Sequence, residues 1–104
     1  MVLEGQDYNN KLVRLTKKQY NHIIETHPEL EGEMNKISKT VESPEVVRLG
    51  NKENIFLFYR FFEKTQVTNK YLVLVVKYLN GEGFIITAYF TSKIRSSDII
   101  WRKK

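Results

Sequence analysis

Apolar residues recur along this chain with two different periods, and the change of period divides it. Tyr20, Ile23, Ile24 and His27 follow the i, i+3, i+4, i+7 spacing of one helical face. Thr16 followed by Gln19 has the form of a capping box and places the start of that helix. Pro28 disfavours helical backbone at His27, so the first helix is predicted to end there. Proline also suits the opening of a second helix, and Glu29, Glu31 and Glu33 suit its positive end. Leu30, Met34, Ile37 and Val41 give that helix an apolar face, which Ser43–Pro44 stops.

Beyond Pro44 the pattern turns to strand. VVRLG (46–50), NIFLFYRFF (54–62), KYLVLVVKY (70–78) and GFIITAYFT (83–91) are rich in β-branched and aromatic residues. LVRLT (12–16) reads as a short strand or as the lead-in to the first helix. Asn80–Gly81 is predicted to form a two-residue hairpin turn. Helices first and antiparallel strands afterwards imply an α+β domain. The expectation is two N-terminal helices packed on one face of a four-stranded, mainly antiparallel sheet. Residues 1–104 read as one domain, with residues 1–10 a loose N-terminal arm and residues 93–104 a basic C-terminal tail.

Composition adds the chemical bias. Hydrophobic residues make up 41% and charged residues 28%, the balance of an ordinary globular chain. No apolar run approaches the roughly 20 residues that cross a bilayer, and Met1–Val2–Leu3 leads into polar residues rather than a signal sequence. There is no cysteine, which removes disulfides and thiolate zinc sites and fits a cytoplasmic protein. The formal charge of +5 favours a polyanionic partner, most simply nucleic acid; a basic surface kept for solubility is the bland alternative. Acids gather in residues 29–45, whereas Lys93, Arg95, Arg102, Lys103 and Lys104 face only Asp98 in the last twelve.

The two histidines, His22 and His27, are five apart, roughly 140° around an ideal helix, so they do not share a metal; no metal or other cofactor is expected. His27 falls on the apolar stripe and His22 on the wet side. His27 is either a hydrogen-bonded core histidine or a proton-transfer group, since imidazole titrates near neutral pH. The segments 54–62, 70–78 and 83–91 contain no Asp or Glu, which weighs against metal-dependent nucleases and glycosidases. Their polar residues are cations and hydroxyls, a set able to hold phosphate unaided. Arg60 shares a strand face with Phe56, Phe58 and Phe62, so it needs an anionic ligand, a wet cleft or a second-helix glutamate. Thr87 and Tyr89 project to one face. A strict two-residue turn at Asn80–Gly81 puts Lys77 opposite Phe84 and on the other face from them; a one-residue bulge brings all three together.

In order along the chain stand His27–Pro28–Glu29, Thr40–Val41–Glu42–Ser43–Pro44, Tyr59–Arg60, Val75–Val76–Lys77, Thr87–Ala88–Tyr89–Phe90–Thr91 and the ending Ile99, Ile100, Trp101. This series, over residues 13–101, resembles the phage barnase–EndoU–colicin–RelE-like nuclease domains. The resemblance implies a metal-independent endoribonuclease that drives the ribose 2′-hydroxyl onto the adjacent phosphate. It implies catalytic roles for His27, Arg60, Thr87 and Tyr89, and substrate binding by Tyr59, Lys77 and Thr91. It also implies RNA and a protein antitoxin as partners. Many such ribonucleases pair a histidine with a glutamate, and no strand segment here offers one. Two other readings use the same residues: a non-catalytic RNA-binding module, and a protein-interaction domain whose basic surface is incidental.

Overall fold

A computed structural model describes residues 2–68 and 70–104. Among the described residues the chain forms a seven-stranded mixed sheet and two α-helices, so the class is α+β but the expected four-stranded sheet is corrected. The strands are β1 (Leu3–Gln6), β2 (Leu12–Leu15), β3 (Val46–Leu49), β4 (Ile55–Phe61), β5 (Tyr71–Leu79), β6 (Glu82–Thr91) and β7 (Ile99–Arg102). Their order across the sheet is β1-β2-β6-β5-β4-β3-β7. The β2–β6 pair is parallel and the other neighbours are antiparallel.

The added strands come from the two ends of the chain. The expected loose arm contains β1, which pairs with β2 through a tight connection at residues 7–11. There the Asp7 carboxylate accepts the backbone N–H groups of Asn9 and Lys11 and the hydroxyl of Tyr78. The expected basic tail contains β7, which closes the other edge against β3. Both strands have only four residues, so each is defined by its pairing partner rather than by its own pattern, β1 by its neighbour in the chain and β7 by the distant β3. Two strands therefore precede the first helix.

Helix α1 (Lys17–Thr26) starts at Thr16, whose side chain accepts the Gln19 backbone N–H at 3.1 Å. It ends at His27, as Pro28 requires. The second helix is shorter than expected. Pro28–Leu30 forms a separate 3-10 turn, Gly32 takes a φ of +80°, and α2 (Met34–Glu42) begins only afterwards. Ile23, Leu30, Ile37 and Val41 pack with Phe58, Leu72, Leu74, Val76, Ile85, Ala88 and Phe90 in the main core. Each fully buried Leu, Ile or Phe there is worth about 1.5–3 kcal/mol.

The opposite face of the sheet carries a smaller apolar cluster of Val46, Tyr59 and Val73, with Ile94 against it. Ile94 belongs to residues 92–98, which join β6 to β7. Those strands are four positions apart in the sheet, roughly 19 Å at ordinary strand spacing. Seven residues reach only about 25 Å when fully extended, so the link must run almost straight across this face. The topology thereby roofs part of the sheet with a short polar segment.

Candidate functional site

The register of the central hairpin decides which candidate residues meet. Asn80 and Gly81 both have positive φ, 54° and 82°, and Leu79 pairs with Glu82 in the two-residue turn. Lys77 therefore lies opposite Phe84. One step on, the register shifts: Val76 pairs with Ile85 but Val75 with Thr87, leaving Ile86 as a bulge. The Ile86 carbonyl accepts the side-chain amide of Gln19, so α1 supplies the bulge with a partner. Beyond the bulge Tyr89 pairs with Val73 and Thr91 with Tyr71. Lys77, Thr87, Tyr89 and Thr91 consequently share the face away from the main core. Lys77 is exposed and sits roughly 13 Å along β5 from the Tyr89 row.

Tyr59 joins this face because it pairs with Val73, which pairs in turn with Tyr89. Arg60 does not. Its partner is Leu72, which belongs to the main core, and it points to the helix side. Its Nη1 donates to the Ser43 carbonyl at 2.6 Å, at the C-terminal cap of α2, and its guanidinium carbon lies 5.6 Å from the Phe62 ring centre. A cation there meets the negative end of the helix dipole, and no second-helix glutamate is involved.

His27 stands at the rim of the open face. α1 runs beside β6, and the ring centre of His27 lies 6.1 Å from that of Tyr89, with the planes 34° apart. The side chain keeps 29% of its surface exposed, so it is not sealed in the core. Its Nδ1 is 3.8 Å from the Glu29 carboxylate, which the turn after Pro28 brings back. The carboxylate sought on a strand stands two residues beyond the histidine instead. His22 is exposed.

Next to Tyr89 opens a cavity of about 480 Å3 between the sheet and the 92–98 link. Arg48, Tyr59, Tyr89, Thr91, Lys93 and Arg95 line it, with Asp98 the one carboxylate among its lining residues. Arg48 is only 6% exposed. Its Nε donates to the Ser97 carbonyl at 2.7 Å, Nη1 to the Tyr59 hydroxyl at 3.0 Å and Nη2 to the Ser97 hydroxyl at 3.3 Å. Among the described residues no carboxylate forms an ion pair with it. Burial pushes the Tyr89 phenol above its ordinary value and the Tyr59 phenol adds to this, whereas Arg48 and Arg95 pull it down.

Arg48, Arg95 and Glu29 were not among the residues that sequence reasoning selected. Arg48 lies in a four-residue strand with no pattern to mark its face, and Arg95 reads as one cation of a tail. Parity within β3 and β4 places Arg48 beside Tyr59 only once Val46 is known to oppose Tyr59. Among the described residues no three His, Asp or Glu side chains gather so as to hold a metal ion, and no helix is long and apolar enough to cross a membrane. No family model, curated protein or solved structure matches the chain.

Proposed function

We propose that this chain binds RNA on the face of the sheet away from its helices and cleaves it with its own side chains. The observation that carries the reading is the contact of His27 with Tyr89 at the edge of a cationic cavity. In the proposed reaction His27 takes the proton of a ribose 2′-hydroxyl, with Glu29 holding the imidazole through Nδ1. The freed oxygen bonds to the adjacent phosphorus, the bond to the 5′-oxygen breaks, and that oxygen takes a proton from water as His27 returns its own to solvent. Products are a 2′,3′-cyclic phosphate and a 5′-hydroxyl end. Tyr89, whose phenol burial keeps protonated, donates to the phosphate oxygens, and Thr87 and Thr91 flank it along the strand. Lys77, farther along the same face, holds the RNA backbone by charge.

The nuclease resemblance supports this reading, with Arg60 moved from the reacting groups to the support of α2. A cytoplasmic setting is part of the same proposal. A protein antitoxin fits as a partner that covers the cationic face with an acidic segment. The engagement of Arg60 with Ser43 favours a second reading, a module that binds RNA without cutting it. Incubation of RNA with the purified protein in EDTA separates the two. Fragments ending in cyclic phosphate, reduced by about 10²–10⁴-fold in His27→Ala, support cleavage. Intact RNA that is nonetheless retained by the protein supports the second reading.

A further inference from the structure

We infer that the cavity under the 92–98 link is a pocket for a phosphate monoester, such as the terminal phosphate of an RNA strand or a mononucleotide. Arg48 carries the inference. A guanidinium nine-tenths buried is normally matched by a carboxylate, because a lone charge is costly to remove from water. Here its three protein acceptors are all neutral: two oxygens of Ser97 and the hydroxyl of Tyr59. These bonds occupy Nε and one hydrogen on each terminal nitrogen. Each terminal nitrogen carries a second N–H beyond these bonds, so two charged donors remain to be offered to phosphate oxygens.

The rest of the lining points the same way. Lys93 and Arg95 come from the link, Arg48 from β3, and only Asp98 opposes them among the lining residues. That leaves an excess of two positive formal charges, the complement of a phosphate monoester dianion rather than a singly charged diester. Hydroxyls of Tyr59, Tyr89, Thr91, Ser92 and Ser97 supply neutral donors around the same space. At about 480 Å3 the cavity lies within the usual range for small-ligand sites and is larger than a bare phosphate needs. Ser97 fixes Arg48 from two sides, so the roof and the buried cation form one unit. The inference rests on the RNA reading only for the source of the phosphate; the pocket chemistry stands apart from cleavage.

Calorimetric titration tests it directly. The probes are the four nucleoside 3′-monophosphates, the matching nucleosides, inorganic phosphate and a dinucleoside monophosphate carrying only a diester. Wild-type protein is expected to bind the monophosphates and inorganic phosphate, and to bind nucleosides and the diester at least about tenfold more weakly. Lys93→Ala/Arg95→Ala changes two exposed residues of the link and is expected to lower monophosphate affinity by about tenfold or more. Arg48→Met is expected to abolish binding, with circular dichroism reporting whether the fold persists; the link variant carries the test if it does not. Absence of monophosphate binding, equal binding of nucleosides, or unchanged affinity in the link variant overturns the inference. Monophosphate binding by protein that leaves RNA intact ends the cleavage proposal and keeps this one. RNA cleavage without monophosphate binding does the reverse.

Discussion

Tyr59 and Arg60 are consecutive in the chain and serve opposite faces of the sheet. Tyr59 accepts a hydrogen bond from Arg48 at 3.0 Å on the open side, while Arg60 donates to the Ser43 carbonyl at 2.6 Å on the helix side. A motif that reads as one unit in sequence therefore divides between a candidate ligand cavity and the support of α2. The two-residue period of a strand makes this unavoidable.

Arg60→Ala is accordingly expected to cost stability rather than RNA affinity. It removes a charge-assisted hydrogen bond at a helix terminus, worth about 2 kcal/mol. Urea titration should show the loss as a lower midpoint with an unchanged slope. RNA affinity measured below the transition should stay within about twofold of wild type, since the guanidinium is held at the cap of α2 by the Ser43 carbonyl.

Glu29→Gln separates orientation of His27 from its presence. The neutral amide keeps the size of the side chain but ends the ion pair with an imidazolium across the 3.8 Å gap. Cleavage is expected to fall by about tenfold, against the far larger loss in His27→Ala. An unchanged cleavage rate would remove Glu29 from the mechanism.

Affinity for RNA should fall steeply with salt. If Lys77, Lys93 and Arg95 each neutralise a phosphate, a plot of log affinity against log salt has a slope of about −2 for single-stranded RNA. Lys77→Ala alone should make that slope shallower by about 0.7. An unchanged slope would take Lys77 out of the interface despite its position on the right face.

Stability should also decline at alkaline pH, with a cause away from the site. Burial and the hydrogen bond to Asp7 push the Tyr78 phenol far above its ordinary value of 10.0, and the charges of Asp7 and Tyr8 add to this. A folded-state pKa above the unfolded one means that the contribution is complete below about pH 10 and is lost as pH rises beyond it. Chemical denaturation across pH 8–11 should show the loss, and Tyr78→Phe should flatten it. In that variant Asp7 loses its phenol donor, so stability at neutral pH falls by about 1–3 kcal/mol.

Some of this was legible in the chain. Thr16 and His27–Pro28 bound α1, and Asn80–Gly81 closes the β5–β6 hairpin, because each of these signals acts on its own neighbouring backbone. A one-residue bulge near the turn, a longer loop or the exclusion of Lys77 were all open from the chain; the bulge is the outcome, and it falls at Ile86, whose carbonyl accepts the side-chain amide of Gln19. The strands at the ends were hidden for a different reason. LEGQ and IIWR have little pattern of their own and become strands by pairing with β2 and β3. Without β7 at the far edge, nothing in the sequence forces residues 92–98 across the sheet. Arg48 and Arg95 therefore could not be seen as neighbours.

Chemical-shift mapping with a short RNA tests the central claim most directly, because it reads location before chemistry. The account predicts that added RNA shifts the resonances of His27, Tyr59, Thr87, Tyr89, Thr91 and Arg95, while Arg60, Ile37 and Val41 on the helix side stay still. Shifts confined to the helix side, or none at low salt, would contradict it.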